Sequence, residues 1–228
     1  MNNILIATVG GSPQPIITAV ETIMPERVVF ICSDRSKNQI VGQGKPCEIW
    51  QKGELVDKLP NIPEYTGLTN FDQERDLLII DNVDDPSPIY RKISAHIRQL
   101  LQDYSRNQIL ADFTGGTKSM STALGMAATD YNIKLVVTTA QRKNTNKVES
   151  GESTESINTS LINYDRIVNQ NIPELIENYN YSAAEKIVSN ILLSYTIPGN
   201  AKDKLREIKL FCQAFSLWDR FNHEEAAK

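Results

Sequence analysis

Ile109-Leu110-Ala111-Asp112-Phe113-Thr114-Gly115-Gly116-Thr117-Lys118-Ser119-Met120 reads as a buried strand, a glycine turn and the opening of a helix. Ile109 to Phe113 is a short apolar run. Gly115 and Gly116 permit positive φ and a close backbone approach to a ligand. Beyond them Met120, Leu124, Ala127, Ala128 and Tyr131 recur at helical spacing. The first turn of that helix carries Thr117, Lys118 and Ser119. Free N–H groups, two hydroxyls and one ammonium thus converge on one point, an anion site best suited to phosphate. A Walker A loop needs Gly-Lys-Ser/Thr, whereas here Thr117 precedes Lys118, and the G-x-G-x-x-G dinucleotide fingerprint is absent as well. Spacing alone fits a tight strand-to-helix turn with an exposed lysine equally well.

A second stretch repeats the pattern near the start: Ile4-Leu5-Ile6-Ala7-Thr8-Val9-Gly10-Gly11-Ser12-Pro13-Gln14-Pro15-Ile16. Ser12 suits an N-cap and Pro13 the first helical position. Two such turns in one parallel sheet place both helix N-termini at the carboxyl edge, where open α/β sheets bind ligands.

Thr8-Val9-Gly10-Gly11-Ser12-Pro13-Gln14-Pro15, followed by Asp112-Phe113-Thr114-Gly115-Gly116-Thr117-Lys118-Ser119-Met120-Ser121, resembles the CARF family, the CRISPR-associated Rossmann fold. The second motif is the more specific. In the first, Gly11 stands where many relatives have threonine. The resemblance covers about residues 1–165. It implies a dimeric receptor for cyclic oligoadenylate, the second messenger of type III CRISPR systems, usually followed by an effector domain. It implies a ligand site built from Thr8, Gly10, Gly11, Ser12, Gln14, Ser33, Thr114, Gly115, Gly116, Thr117, Lys118 and Ser119. Backbone N–H groups and Lys118 would hold phosphates, and side-chain amides would hold adenine edges. A ring of identical nucleotides and a homodimer can share one two-fold axis. Tetra-adenylate is favoured over hexa-adenylate, although the residues themselves do not fix the ring width.

Some CARF domains are ring nucleases, which gives a second reading. A ribose 2′-hydroxyl attacks the neighbouring phosphorus and leaves a 2′,3′-cyclic phosphate, so the protein need only align the attack and stabilise charge. Ser12 and Lys118 are the catalytic candidates. Neither has an evident base beside it, so such catalysis should be slow. No cofactor and no metal is expected. An ordinary nucleotide-dependent α/β enzyme is the third reading; it lacks its fingerprint and any metal-ligand cluster in this sequence.

The composition of the 228 residues, 40% hydrophobic and 23% charged, is that of a globular protein with room for one or two domains. No apolar run reaches bilayer-spanning length and no signal peptide precedes the first strand. Cys32, Cys47 and Cys212 are an odd number without metal spacing, which suggests a reducing compartment; a cytoplasmic protein, away from membranes, is expected. A net charge of −4 argues against grip on long nucleic acid but not against a locally positive pocket.

Taken in order, residues 1–9 form a strand, 13–24 a helix, and Arg27 to Ser33 a strand. Arg35 and Lys37 follow at the carboxyl edge, in what is more simply a solvated loop. Glycines and prolines punctuate residues 39–76, with a short helix expected around Cys47-Glu48-Ile49-Trp50. Residues 77–82 read as a strand, and a helix runs from about Pro88 to Tyr104. Within it Arg91 and His96 fit R-x4-H, a ribonuclease signature of HEPN domains. That match is rejected, because Ile89, Ile93, Ile97 and Leu100 make the helix a sheet-packing crossover, with a solvated arginine and a surface histidine. Ile133 to Ala140 is the next strand, residues 141–156 a hairpin tip, and Ile157 to Tyr164 the returning strand.

The expected fold is therefore α/β: a Rossmann-like, mainly parallel sheet with helices on both faces over residues 1–165. A short all-α tail over 166–228 follows, as a dimerisation element or the stump of a longer effector region. Its last helix carries Leu210, Ala214, Leu217, Trp218 and Phe221 on one stripe, which needs a partner surface.

Overall fold

The computed structural model describes residues 3–42, 47–52, 54–141, 150–157, 159–194 and 199–227. The chain divides into two compact units, residues 1–159 and 160–228.

The first unit begins with β1 (Ile4–Thr8), α1 (Gln14–Ile23) and β2 (Arg27–Cys32). The short α2 (Asn38–Val41), the pair β3 (Cys47–Gln51) and β4 (Glu54–Leu59), and the short α3 (Ile62–Tyr65) and α4 (Gln73–Asp76) follow. Next come β5 (Leu77–Ile79), α5 (Pro86–Asp103), β6 (Ile109–Asp112), α6 (Lys118–Asp130), β7 (Lys134–Gln141) and β8 (Ser150–Ile157).

Six strands form one sheet in the order β5-β2-β1-β6-β7-β8. Only β8, against β7, is antiparallel. β1 lies in the middle and is buried along its whole length, so it reads as a continuous apolar run. Its side chains alternate between two cores. Ile4 and Ile6 face the layer that holds Ile93 and Ile97 of α5 and Leu124 of α6. Leu5 and Ala7 face the layer that holds Ile16, Ile17 and Val20 of α1. Helices therefore cover both faces, as the alternating pattern implied. The fold is the expected Rossmann-like one.

Two local expectations need correction. Cys47–Gln51 is not helical but a strand, paired antiparallel with Glu54–Leu59. Lys52 sits at a turn and takes φ 52°, and a turn there favours a hairpin over a helix. The returning strand is Ser150–Ile157 rather than Ile157–Tyr164, and Thr159–Arg166 is helical. β8 is an edge strand of mostly polar residues, so it lacks the apolar signature of an interior strand. The remainder of the expected hairpin tip, residues 142–149, lies outside the described residues.

The second unit is helical: α7 (Thr159–Arg166), a π-helical turn (Ile167–Asn171), α8 (Ile172–Glu177), α9 (Tyr181–Ser194) and α10 (Gly199–Asp219). Its core holds Ile172, Val188, Ile191 and Leu205, continued by Tyr181, Ala184 and Cys212. The expected stripe on α10 is not the side that packs inward. Leu205, Ile208 and Cys212 face the core, while Leu210 and Trp218 are 66% and 57% exposed. Phe211 and Phe215 stack on each other, 4.5 Å between ring centroids, and both are exposed. Among the described residues, no helix is long and apolar enough to cross a membrane.

Candidate phosphate-binding site

The connections around β1 create the site. From β1 the chain moves to β2 on one side; after β5 the crossover helix α5 carries it back to β6 on the other. The carboxyl ends of β1 and β6 thus flank a topological switch point, where open α/β sheets leave a crevice. The parallel register pairs Ala7 with Asp112 and brings the two strand ends level. The loops Val9–Pro13 and Phe113–Thr117 therefore leave the sheet side by side.

The two turns interlock. A Cβ on Gly10 would stand 2.7 Å from the Gly116 nitrogen, and one on Gly115 only 2.2 Å from the Thr8 carbonyl oxygen. Gly116 takes φ 77°, a conformation that favours glycine. These three glycines serve the approach of one turn to the other. Gly11 differs: a Cβ there would meet nothing within 4 Å, and the residue is exposed. The Thr8 hydroxyl ties the joint by donating to the Gly115 carbonyl at 2.8 Å. Thr8 is fully buried, so it fastens the turns and offers no surface to a ligand, contrary to its expected place in the binding set.

Hydroxyls hold the second turn from several sides. The Thr114 N–H donates to Asp112 Oδ1 at 2.8 Å, and the Thr114 hydroxyl oxygen accepts the Thr138 N–H of β7 at 2.7 Å. Thr117 is the N-cap of α6 and accepts the Met120 N–H; its own hydroxyl donates to the Val83 carbonyl at 2.7 Å. The Ser119 hydroxyl donates to the Asp84 carbonyl at 2.9 Å, and that of Ser121 to the Gly115 carbonyl at 2.7 Å. The two hydroxyls expected to converge on an anion thus anchor the segment between β5 and α5 to the start of α6. Ser33 is similarly engaged: its hydroxyl and amide exchange hydrogen bonds with Ser36.

The N–H groups of Gly10, Gly11, Ser12, Gly115 and Gly116 have no hydrogen-bond acceptor among the described residues. They sit beside the N-termini of two helices of ten and thirteen residues, whose dipoles favour negative charge. At α1 the cap is Pro13 rather than Ser12, since the Pro13 carbonyl accepts the Ile16 and Ile17 N–H groups. The Ser12 side chain is exposed, as are Gln14 and Lys118. Of the residues expected at the site, Gly11, Ser12, Gln14 and Lys118 form its outer, solvent-facing part. Thr8, Gly10, Thr114, Gly115, Gly116, Thr117 and Ser119 build the turns beneath.

One residue of the site escaped the sequence reading as a functional group. Asp112 ends β6, almost wholly buried, and its Oδ2 has no hydrogen-bond partner among the described residues. Burial pushes its carboxyl pKa up, against the opposing pull of Thr114. The spacing Asp-x-Thr was the available signal, since an aspartate commonly accepts the N–H two residues on.

Arg91 and His96 are not part of this site. Arg91 is exposed, and His96 lies five positions on, about 140° around α5 at the usual turn. His96 is half-buried rather than on the surface, with Nε2 lacking a partner; burial and then Arg27 lower its pKa. Arg27 opens β2, so this histidine belongs to the amino edge of the sheet, opposite the glycine turns. Among the described residues no group of histidines, cysteines and carboxylates is arranged to hold a metal.

No family model matches the sequence, and no curated protein matches it. Among solved structures, Csm6 of Enterococcus italicus, bound to cyclic hexa-2′-fluoro-hexa-dAMP, superposes with a TM-score of 0.59 at 16% identity over 95% of this chain. This chain spans 57% of that protein's length. Can2 of Sulfobacillus thermosulfidooxidans in complex with cyclic tetra-adenylate gives 0.40 at 10% identity, covering 92% of this chain and 58% of its own. Protein VC1899 of Vibrio cholerae gives 0.42 at 10% identity, over 59% and 30%. The likeness at this identity is one of fold, and that fold is the Rossmann-like one described above.

Proposed function

We propose that this chain is a cyclic oligoadenylate receptor of type III CRISPR defence, holding the ring across a homodimer. The observation that carries this reading is the interlocked pair of glycine turns at the switch point, which offers main-chain N–H groups with no internal acceptor beside two helix N-termini. Such groups suit phosphodiester oxygens, and Lys118 adds the one formal positive charge of the motif. The exposed Gln14 amide can both donate to and accept from an adenine edge. The shared fold supports the choice of ligand, because Csm6 was solved with cyclic hexa-2′-fluoro-hexa-dAMP, a ring of six adenine nucleotides. For this chain four adenylates are proposed ahead of six.

Each protomer supplies the same patch, so a two-fold symmetric ring sits on the dimer axis. The helical unit, proposed as a domain beginning near residue 166, carries the exposed aromatic face of α10 and contributes to dimerisation or joins an effector region. The protein acts in the cytoplasm. Light scattering with calorimetry tests this: one ring should bind per two chains, and a ligand-bound monomer would exclude the shared-axis arrangement.

One observation favours a second reading. The Ser12 hydroxyl is exposed and has no partner among the described residues, leaving it available to a phosphate oxygen. A slow ring nuclease would let the ribose 2′-oxygen attack phosphorus while the 5′-oxygen leaves, giving a 2′,3′-cyclic phosphate and a 5′-hydroxyl. Ser12 and Lys118 would orient the phosphate and stabilise its charge. Chromatography of the ring after long incubation decides between the two: linear product resistant to EDTA supports cleavage, and an intact ring leaves the receptor alone.

A further inference from the structure

Asp112 is 1% exposed. Its Oδ1 accepts the Thr114 N–H at 2.8 Å, which bends the chain into the Gly115-Gly116 turn. Its Oδ2 is buried without a hydrogen-bond partner among the described residues. An ionised carboxylate in that position leaves charge in an apolar surrounding, opposed by Thr114 alone through its side chain and its N–H. It also lies at the base of the turn whose N–H groups the receptor reading offers to the anion. A bound phosphate and a charged Asp112 would repel each other through the turn.

Resting on the receptor reading above, we propose that Asp112 is the positioning residue of the anion turn and that it works as a neutral acid. Oδ1 fixes the Thr114 amide, and Oδ2 carries a proton while ring phosphate is bound.

The groups around the carboxyl fit this assignment. From β1, the Thr8 hydroxyl donates to the Gly115 carbonyl rather than to the carboxyl. The turn supplies Thr114. On β7 the residue paired with Asp112 is Val136, which is apolar. Among the described residues no lysine, arginine, histidine or second carboxylate contributes to the shift, Lys118 included; burial drives it upward and Thr114 alone opposes. Asparagine at position 112 would keep the acceptor and place an amide where Oδ2 stands.

The test is calorimetric titration of the full chain with cyclic tetra- and hexa-adenylate from about pH 5 to about pH 8.5, for the wild type, Asp112→Asn and Asp112→Ala. The ring phosphodiesters stay anionic throughout, so they contribute no slope. Wild-type affinity should fall about three- to tenfold as the pH rises through the raised pKa of Asp112. Asp112→Asn should bind at least as tightly as wild type at the alkaline end, with that slope removed. Asp112→Ala should bind at least about tenfold more weakly at every pH, because the Thr114 N–H loses its acceptor. If Asp112→Ala does not fold, the Asp112→Asn profile and the ligand-free melting temperatures still decide. Wild type should lose melting temperature relative to Asp112→Asn as the pH rises. A flat wild-type profile together with weaker binding by Asp112→Asn at all pH values would overturn the proposal, since the site would then use the carboxylate as an anion. If neither ring binds the wild type at any pH, the receptor reading fails, while the ligand-free melting profiles still report whether Asp112 is protonated.

Discussion

Asp76 and Asp112 are both buried carboxyls, 0% and 1% exposed, at opposite ends of the same sheet. Asp76 immediately precedes β5 and meets Arg27 Nε at 2.6 Å, Arg75 Nε at 3.0 Å and NH2 at 2.8 Å, and the Asp72 N–H at 3.0 Å. Burial works to raise its pKa, but Arg75, the Asp72 amide and Arg27 outweigh it and hold the carboxyl below its usual range. Asp112 is answered only by the Thr114 side chain and N–H, with no cation among the described residues, and burial pushes it the other way. At the amino edge the buried Asp76 charge is thus answered from within the fold. The carboxyl edge leaves N–H groups without acceptors and a carboxyl without a cation, an arrangement suited to an anion from outside.

The comparison breaks most visibly at Asp76. Asp76→Ala leaves the Arg27 guanidinium, 14% exposed, without its partner in a mostly buried position. It should destabilise the fold by about 3–5 kcal/mol, read from denaturant unfolding. Asp112→Asn should leave neutral-pH stability equal or raised. The pH dependences have opposite sign. Asp76, with its pKa lowered in the fold, contributes stability above its unfolded value, which is lost as the pH falls through the folded value. Asp112, with its pKa raised, contributes stability below its unfolded value, which is lost as the pH rises through the folded value. Parallel profiles for Asp76→Ala and Asp112→Asn against wild type would remove the contrast.

Within the carboxyl edge the glycines divide in the same spirit, into those that face the fold and one that faces out. Gly10→Ala drives a Cβ to 2.7 Å from the Gly116 nitrogen. It should cost about 1–3 kcal/mol of stability, the usual range for overpacking. Gly11→Ala meets open space and should change the melting temperature little. Equal losses from the two substitutions would mean that the turns are not interlocked as described.

The strand-turn-helix units were legible because an apolar run, a glycine pair and helical spacing coincide in a few consecutive residues. Their placement at one sheet edge followed from α/β topology, and β1 and β6 are indeed neighbours. The hydroxyls of Thr8, Thr117 and Ser119 were legible as polar groups near an anion turn, but not as already engaged. Their partners Gly115, Val83 and Asp84 lie far along the chain, and distant pairing leaves no local pattern. β8 escaped because a polar edge strand lacks apolar alternation. On α10 two apolar faces were present, and which one turns inward depends on α8 and α9 rather than on α10 itself.

The central claim is that these turns hold ring phosphates, with Lys118 neutralising them from the exposed start of α6. Its direct test is calorimetric titration of wild type and Lys118→Ala with cyclic tetra- and hexa-adenylate, beside their melting temperatures. Wild type should bind a ring, and Lys118→Ala should lose about 1.5–3 kcal/mol of binding free energy, as expected for a charged hydrogen bond, at unchanged melting temperature. Undiminished affinity in a folded Lys118→Ala, or no binding of either ring by wild type, would contradict the account.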